Sequence, residues 1–396
     1  MKTIATIFGT RPDTIKMAPV IVELQKYPGE FRTFNIATAQ HRQMLDQVLS
    51  VFDIAPDLDL GIMLPKQSLA QITGNIMSKL DEALSEAKAD LVLVQGDTTT
   101  TFVGSLAAFY HRIPVGHLEA GLRTNDKFNP FPEEINRRLT SAVTDLHFAP
   151  TASAKKALLK EHIDPVSIFI TGNTVIDALR TAVDPAYHFS DAVLQRVVGE
   201  KERDGKDIIL ITTHRRENWG EPMMDICSAI KKLSLHYSRL NFVFPVHLNP
   251  VVRSTVFPVL QGLNNVFLIE PLEYKSFVNV MNHSHLILTD SGGVQEEAPS
   301  LGKPVLVMRK VTERPEAVKA GAVKLVGMNP ENVYEETSSL LDHPREYKAM
   351  ASSVNPYGDG NAAQRTVDAI RYFFGMTKKR PKDFSPQPPK HKHRRH

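Results

Sequence analysis

Apolar and polar positions along the chain follow two alternating periods. Short apolar runs rich in β-branched residues are typical of strands buried on both faces, and longer segments between them have the apolar spacing of helices. Strands that alternate with helices are typical of parallel sheets built from βαβ units. The pattern therefore predicts an α/β fold with strands at residues 3–8, 32–38, 90–94, 114–118, 146–149, 167–171, 207–212, 241–246, 265–269, 285–289, 304–307 and 323–326.

The predicted strands form two sets, one in each half of the chain. A polar stretch at residues 182–207 separates the sets, and we place the linker between residues 172 and 190. A last helical pattern at residues 361–374 carries its apolar positions on one stripe. We therefore predict two doubly wound Rossmann-like domains that face each other across a cleft, at residues 1–175 and 176–360, and a helix at residues 361–376 that returns to the first domain.

Composition and charge narrow the class of protein. The 396 residues are 42% hydrophobic, which suits two or three domain cores. The formal charge of +3 comes from the end of the chain, because residues 1–376 hold 39 Lys and Arg against 43 Asp and Glu. The body is therefore not expected to bind nucleic acid. Residues 377–396 are basic and rich in Pro and His, which predicts a disordered tail, with metal or nucleic-acid contact as the alternative.

Cysteine content and the amino terminus indicate a cytoplasmic protein. The single cysteine, Cys227, excludes an internal disulfide and suits a reducing compartment. The first apolar run is too short for a secretion signal, and no run approaches the ~20 apolar residues of a membrane-spanning helix. We therefore expect no membrane insertion.

A strand-to-helix turn at residues 285–297 has the composition of a phosphate site. The apolar run ends at Asp290, and Ser291, Gly292 and Gly293 precede a helical segment that contains Glu297. Unpaired N–H groups at a helix start attract anions, and glycines let the backbone approach a ligand. Glu297 lies about one turn into the helix, where a carboxylate can accept ribose hydroxyls. An ordinary turn with Ser as the N-cap is the alternative.

Polar residues also follow other predicted strands, at the ends where parallel sheets bind ligands. In the first half these are Arg11, Asp97 and Glu119, and the two acids emerge at one sheet edge if their strands are neighbours. Arg11 suits a phosphate or a salt bridge equally. Asp97 alone would also suit a helix cap, whereas Glu119 is not followed by a helix start.

Pro132 begins a further helix whose first turn contains Glu133 and Glu134. Each glutamate lies four residues before an arginine, Arg137 or Arg138, and shares a helix face with it. Two surface salt bridges are the simple explanation of this spacing, and they fit the outer pair better than the inner one.

Histidines follow two strands of the second half. His214 and His247 each lie at a predicted sheet edge, and histidine titrates near neutral pH, although either can be a hydrogen-bonded structural residue. Arg314 follows another strand and, with Ser291 to Gly293, can clamp a diphosphate.

Missing motifs exclude several chemistries. No GxGxxG follows a strand, so bound NAD is not supported, and no GxxxxGK[ST] is present for nucleoside triphosphate hydrolysis. No Cys and His spacing or DxD-like pair indicates a metal. We expect neither a cofactor nor a metal, and a diphosphate held by Arg, Ser and backbone dipoles.

Eight blocks in order resemble the non-hydrolysing UDP-N-acetylglucosamine 2-epimerases, a family with glycosyltransferase-B architecture. The resemblance covers nearly the whole chain from Phe8 to about Phe374. The blocks are Gly9-Thr10-Arg11-Pro12, Gln40-His41-Arg42-Gln43, Gly96-Asp97-Thr98-Thr99-Thr100-Thr101, His117-Leu118-Glu119-Ala120-Gly121-Leu122-Arg123, Pro130-Phe131-Pro132-Glu133-Glu134, His214-Arg215-Arg216-Glu217-Asn218, residues 290–297 and Glu313-Arg314-Pro315-Glu316.

The resemblance implies reversible epimerisation at C2 of UDP-N-acetylglucosamine to UDP-N-acetylmannosamine through a 2-acetamidoglucal, for cell-surface polysaccharide synthesis. It also implies a homodimer. By resemblance, acid/base function belongs to Asp97, Glu119 and Glu133, supported by Arg137 and His214. The residues implied for UDP binding are Arg11, His247, Phe277, Ser291, Gly292, Gly293, Glu297 and Arg314.

Bacterial members of the family bind a second UDP-N-acetylglucosamine as an activator. The matching positions are Gln40, His41, Gln43, Lys66 and Gln67. Lys66 stands where Arg is usual, and Lys lacks the bidentate fork of Arg, which predicts a weaker effector response.

Other departures from the family pattern affect nucleotide affinity more than reaction type. They are Asp13-Thr14 for Glu-Ala, Lys310-Val311 for Asp-Thr, and Ala317 and Ala322 for Gly and Thr.

Three other functions share parts of this pattern. A glycosyltransferase of the same architecture needs an acceptor site and does not need three acids in its first domain. A hydrolysing epimerase releases free N-acetylmannosamine and UDP. A nucleotide-sugar sensor binds without turnover, and the intact Asp97, Glu119, Glu133 and His214 argue against it.

Overall fold

The computed structural model describes residues 1–38, 42–63 and 67–386. These residues form two compact units, which we name unit 1 (Met1–Thr181 and Tyr357–Ser385) and unit 2 (Ala182–Pro356).

Unit 1 has a seven-stranded parallel sheet among its described residues, with order β3-β2-β1-β4-β5-β6-β7. The strands are β1 (Lys2–Phe8), β2 (Phe31–Ala37), β3 (Leu58–Asp59), β4 (Leu91–Gln95), β5 (Val115–Leu118), β6 (Leu146–Ala149) and β7 (Ile168–Ile170). Its helices are α1 (Arg11–Gln25), α2 (Arg42–Val51), α3 (Leu69–Ala87), α4 (Thr99–Tyr110), α5 (Glu133–Ala142), α6 (Ala152–Lys160), α7 (Val175–Ala182) and, from the end of the chain, α16 (Ala362–Phe373).

Unit 2 has a six-stranded parallel sheet of order β10-β9-β8-β11-β12-β13 in the part of the chain that is described. Its strands are β8 (Ile208–Thr212), β9 (Asn241–Pro245), β10 (Val266–Ile269), β11 (Leu286–Thr289), β12 (Val305–Val307) and β13 (Val323–Leu325). The helices are α8 (Ala192–Asp204), α9 (Glu221–His236), α10 (Pro250–Leu260), α11 (Tyr274–His283), α12 (Gly292–Glu297), α13 (Pro315–Lys319), α14 (Pro330–Asp342) and α15 (Pro344–Ala351).

The α/β prediction is confirmed, because all twelve predicted strands are present and every strand pair is parallel. Helices on both faces bury the central strands completely, which explains their continuous apolar runs. All four residues at 91–94 of β4 are inaccessible to solvent, for example. The pattern missed β3, whose two residues pair with the end of β2.

The start of α1 shows how local sequence directs the chain at the first sheet edge. Thr10 is the N-cap, and it forms a reciprocal capping box with Asp13. Gly9 has no room for a side chain, since a Cβ there would overlap Thr38 Oγ1 and lie 2.6 Å from Thr100 Oγ1. The turn after β1 therefore packs tightly against the loop after β2 and the start of α4.

The predicted disordered tail is wrong for residues 377–386. Arg380 donates to Val166 O and Ile168 O, both at 2.7 Å, and Phe384 N donates to Ile170 O at 2.6 Å. Phe384 is 6% exposed. The order has a physical cause, because two of the three acceptors, Ile168 O and Ile170 O, belong to β7, an edge strand with free backbone groups. Residues 387–396 lie outside the described residues.

Candidate active site

The predicted site residues lie where the strand order of each sheet reverses. In unit 1 the reversal is between β1 and β4, and in unit 2 it is between β8 and β11. Loops at the carboxyl ends of such neighbours diverge and leave a crevice, which is the usual ligand site of an open α/β sheet. Each unit therefore presents its own group of polar residues at its switch point.

Two residues of α5 bind Asp97, one at its side chain and one at its main chain. Arg137 contacts one carboxylate oxygen of Asp97 through Nε at 2.9 Å and through NH2 at 2.6 Å. Asn136 Nδ2 donates to the main-chain oxygen of Asp97 at 2.9 Å. Gly96, at φ +77°, makes the turn that leads into Asp97. These contacts hold both the main chain and the carboxylate of Asp97 in place at the end of β4.

The structure corrects the expected pairing on α5. Arg137 does not pair with Glu133, four residues earlier, but with Asp97 and, at 3.2 Å, with Glu134. Glu134 is fully buried and accepts bonds from Thr124 N and Asn125 N. Burial raises the pKa of Glu134, but these two bonds and the Arg137 charge outweigh burial and lower the pKa overall. The pair is thus a buried structural contact and not a surface salt bridge.

Glu133 lies half-buried at the start of α5. Burial raises the pKa of Glu133, and the nearby Asp97 carboxylate raises it further. A carboxyl group with a raised pKa holds its proton to higher pH than usual, which suits a proton donor.

Glu119 sits in a strained backbone conformation, and side chains from other elements of unit 1 bind its carboxylate. Its φ is +65°, which non-glycine residues rarely adopt and which often marks a functional position. Its carboxylate accepts bonds from Lys16 Nζ at 2.5 Å, Gln95 Nε2 at 2.9 Å and Asn173 Nδ2 at 2.9 Å. The side chain is 7% exposed. The lysine and the two amides stabilise the ionised form of Glu119.

Sequence reasoning missed these partners of Glu119. Gln95 carried a signal, because it is a polar residue that ends the apolar run of β4. Lys16 and Asn173 carried no local signal, since a long-range contact brings each to Glu119.

Asp13 was also missed as a member of this group. It is 5% exposed and accepts bonds from Thr10 N at 3.3 Å and Thr98 Oγ1 at 3.1 Å. Burial raises the pKa of Asp13 to about 7, and the Asp97 charge adds to the increase. Arg11 is the first residue of α1 at the same sheet edge.

In unit 2 the buried Asp290 ties the loop after β8 to the end of β11. Its carboxylate accepts bonds from Thr213 Oγ1 at 2.7 Å, Arg215 N at 2.9 Å and Asn218 Nδ2 at 2.9 Å. The main-chain N–H of His214 donates to the same group at 3.0 Å. The position of His214 is thus determined by a carboxylate that is not solvent-exposed.

The two predicted histidines lie together. The ring centroids of His214 and His247 are 6.4 Å apart, with planes inclined by 27°. His214 Nδ1 is 3.3 Å from Asp290 Oδ1, and its side chain is 45% exposed. Partial burial lowers the pKa of His214, although the Asp290 charge opposes this change. Burial therefore favours the neutral form of this imidazole.

Two arginines approach the glycine-rich start of α12. The position of a Cβ at Gly292 would be 3.6 Å from Arg215 NH2 and 4.0 Å from Arg314 NH2. Ser291 is the N-cap of α12, but its side chain makes no capping bond within the described structure, so the ordinary Ser-cap alternative is not supported. Arg314 lies against Glu296, to which its Nε donates.

Arg215 was not predicted as a site residue. It lies 3.6 Å from Glu313. Burial alone raises the pKa of Glu313, but the charges of Arg215, Arg309 and Arg314 outweigh burial and lower it. Arg215, Arg309 and Arg314 therefore come together here, each paired with a glutamate, and their guanidinium groups are the kind of N–H donors that bind a diphosphate.

The helix α11 contains Phe277 and also contacts Glu297 through Tyr274. Glu297 is 8% exposed and accepts a bond of 3.4 Å from the hydroxyl of Tyr274 on that helix. Phe277 lies half-buried one turn later on α11. Gly293 is next to the Glu297 carboxylate, with 3.4 Å from its Cβ position to Oε1.

Most of the predicted effector positions are not covered by the structure. Gln40, His41 and Lys66 lie outside the described residues, as does the side chain of Gln43, whose backbone is in α2. Gln67 Nε2 donates to Ile62 O at 3.1 Å.

The described residues contain neither a metal-binding cluster nor a membrane-spanning helix. No group of three or more His, Cys, Asp or Glu side chains in residues 1–38, 42–63 and 67–386 is arranged to hold a metal ion. In the same part of the chain, no helix has the length and apolar character needed to cross a membrane.

Two doubly wound parallel sheets, with acids at one switch point and arginines at the other, define a glycosyltransferase-B-like α/β protein. The model of the UDP-N-acetylglucosamine 2-epimerase family matches residues 23–371. The chain belongs to this family, the non-hydrolysing UDP-N-acetylglucosamine 2-epimerases.

Relatives match over almost their entire length. The chain is 55% identical to the UDP-N-acetylglucosamine 2-epimerase of Bacillus subtilis (strain 168), over 96% of this chain and 98% of the relative. It is 52% identical to that of Escherichia coli (strain K12), over 93% and 98%. The Neisseria meningitidis UDP-GlcNAc 2-epimerase, whose crystal structure contains UDP-GlcNAc, is 52% identical with a TM-score of 0.84, over 93% and 99%.

Proposed function

We propose that this epimerase interconverts UDP-N-acetylglucosamine and UDP-N-acetylmannosamine by eliminating UDP and adding it back. The observation that carries the proposal is the group of acids in unit 1, in which Asp97, Glu119 and Glu133 have different electrostatic surroundings. Inversion at one carbon needs proton removal from one face and proton delivery to the other, and such a pair of steps needs acids in different protonation states.

Elimination avoids a difficult deprotonation. The C2 hydrogen has no neighbouring carbonyl group and is not acidic. In the proposed route a base takes the C2 proton while the bond from C1 to the UDP oxygen breaks, and a C1–C2 double bond forms. UDP then attacks C1 as a proton is delivered to the opposite face of C2. Charge develops on the departing diphosphate, so a group of positive charges lowers the barrier.

The surroundings of the acids support different roles for them. Glu119 is stabilised as a carboxylate by Lys16, which suits proton acceptance. Glu133 has a raised pKa, which suits proton donation. Asp97, held by Arg137, is proposed to act with these two glutamates, with His214 as a neutral supporting group.

We propose that unit 2 binds the UDP part of the substrate. Ser291, Gly292 and Gly293 offer backbone N–H groups, and Arg314 approaches the same position. Arg11 and His247 are proposed as further diphosphate contacts, Glu297 as the acceptor for ribose hydroxyls, and Phe277 as the contact for uracil. The Neisseria meningitidis relative with bound UDP-GlcNAc supports the choice of substrate.

Incubation of the protein with UDP-N-acetylglucosamine in heavy water tests the route. Deuterium at C2 of both epimers is the expected result, because the removed proton exchanges with solvent. Free N-acetylmannosamine would indicate hydrolysis, and epimerisation without deuterium would contradict the proposed proton transfer.

The Asp97→Asn variant tests the site. We expect turnover to fall by about a hundredfold or more, as removal of an acid/base group does, while UDP binding is retained. Loss of UDP binding in this variant would contradict the role proposed for Asp97. Unchanged turnover would contradict it as well.

Further properties are proposed from the family resemblance. They are a homodimer, a cytoplasmic location, activation by a second UDP-N-acetylglucosamine, and supply of N-acetylmannosamine units to a cell-surface polysaccharide. Lys66 in place of Arg makes the proposed activation weaker, because Lys is a single-point donor. Comparison of initial rates for the protein and its Lys66→Arg variant over a range of substrate concentrations tests this expectation.

A further inference from the structure

Asp13 connects two helix starts at the switch point of unit 1. It lies in the first turn of α1, and its carboxylate accepts from Thr98, which is the N-cap of α4. Asp97 immediately precedes Thr98. The Cβ position at Gly96 lies 3.5 Å from Asp13 Oδ1 and 3.6 Å from Glu119 Oε2, so Asp13 borders the turn that carries Asp97.

We propose that Asp13 is a positioning residue for Asp97, acting through its bond with Thr98 and through the repulsion between the two carboxylates. This inference rests on the proposed acid/base function of Asp97. Asp13 itself is 5% exposed and is proposed to act through its neighbours, not on the substrate.

The bonds to Asp13 favour its ionised form. Thr10 N and Thr98 Oγ1 both donate to the carboxylate, which accepts both bonds most strongly when charged. Burial opposes ionisation and raises the pKa of Asp13 to about 7. The bond between Asp13 and Thr98, which holds the turn that carries Asp97, therefore becomes stronger as pH rises through neutrality.

Charged groups on neighbouring elements also influence the pKa of Asp13. Asp97 after β4 raises its pKa, and Lys16 on α1 lowers it. Glu119 after β5 is paired with Lys16. The helices α2 and α16 also pack against α1. The charged residues of these helices include Asp46 on α2, and Asp368 and Arg371 on α16. Arg371 pairs with Glu30, which lies beyond the carboxyl end of α1.

The test compares turnover of the full-length protein with that of Asp13→Asn across pH. The amide mimics the protonated acid, so the ratio of wild-type to variant kcat is expected near 1 at about pH 6 and about tenfold at about pH 8.5. KM should change by less than about twofold, since ground-state binding is not involved.

A double variant tests whether the carboxylate is what matters. The double variant Asp13→Glu, Thr14→Ala has the Glu-Ala pair that is usual in the family and keeps a carboxylate at position 13. Its kcat and the pH profile of its kcat should therefore be close to those of the wild type. Asp177→Asn is the matched control, because Asp177 is another acid of unit 1 that caps a helix, α16, and has a raised pKa, about 6. Its kcat ratio should not vary with pH.

The results separate the inference from the proposed function. If Asp97→Asn turns over like wild type, the acid/base role fails and the inference fails with it. If Asp97→Asn is inactive but the Asp13→Asn ratio is flat with pH, or if Asp177→Asn shows the same pH-dependent ratio, only the inference is overturned. If Asp13→Asn does not fold, Thr98→Val and Thr98→Ser decide, since only Val removes the hydroxyl bond to Asp13. Equal kcat values for those two variants would overturn the inference.

Discussion

Arg137 shows how a single residue depends on geometry as well as charge. Its guanidinium contacts Asp97 with Nε and NH2 and Glu134 with NH1. Three of its donors are thus used at fixed angles, while the side chain is 11% exposed. Such a fork cannot be reproduced by the single ammonium of lysine.

We predict that Arg137→Lys lowers kcat by about tenfold to a hundredfold with little change in UDP affinity, because Asp97 loses its fixed orientation. Steady-state kinetics and UDP titration measure the two effects. Arg138→Lys is the matched control, since Arg138 is the next residue, is 42% exposed and reaches Glu134 only at 3.4 Å. Equal losses in the two variants would contradict the role of geometry at Arg137.

The segment 380–384 acts as an added edge for the sheet of unit 1. Arg380 and Phe384 bond to carbonyl groups along β7, and Ile170 N donates to Asp383 Oδ1 at 3.0 Å. The guanidinium of Arg380 also lies 4.0 Å from the ring centroid of Phe169. An exposed edge strand is open to pairing with other chains, and this segment covers it.

We predict that Phe384→Ala destabilises the protein by about 3 kcal/mol, because a nearly buried aromatic side chain is removed from its packing. Urea unfolding measures the change. Phe373→Ala is the control on α16, where the side chain is 40% exposed, and we expect a loss below about 1 kcal/mol. A smaller loss for Phe384→Ala than for Phe373→Ala would show that the segment does not stabilise unit 1.

Buried titratable groups in unit 1 have opposite effects on its stability. Burial lowers the pKa of His117 to about 3 and of His147 to about 4, so between about pH 4 and 6.5 the unfolded chain binds more protons at these sites and stability rises with pH. Burial raises the pKa of Asp13 to about 7 and of Asp177 to about 6, so at these sites the folded protein binds more protons and stability falls as pH rises above about 4. The two pairs therefore offset each other between about pH 4 and 6.

Removing one acid should reveal the histidine contribution. We predict that Asp177→Asn makes the free energy of unfolding rise more steeply between about pH 4 and 6, by up to about 1.4 kcal/mol per pH unit. Urea unfolding followed by circular dichroism at several pH values measures the slope. His147→Gln should change the slope in the opposite direction. A change of the same sign in both variants would contradict this account.

Apolar patterns in the sequence predicted most strands but missed two segments, and each outcome has a physical reason. Strand positions followed from apolar runs, because a strand buried on both faces must be apolar over its whole length. β3 was missed because its two residues are too few to show any period. The ordered segment 377–386 was missed because its stability comes from the edge of β7 and not from its own composition.

The sequence alone determined the α/β class, the two sets of strands and the residues at the ends of those strands. These features are local, since periodicity and turn composition are written in neighbouring residues. The tertiary structure decided which charges meet: Arg137 with Asp97 in place of Glu133, Lys16 and Asn173 with Glu119, and Asp13 with Thr98. Such pairings depend on contacts between residues far apart in the chain, and the same contacts set the burial that shifts each pKa.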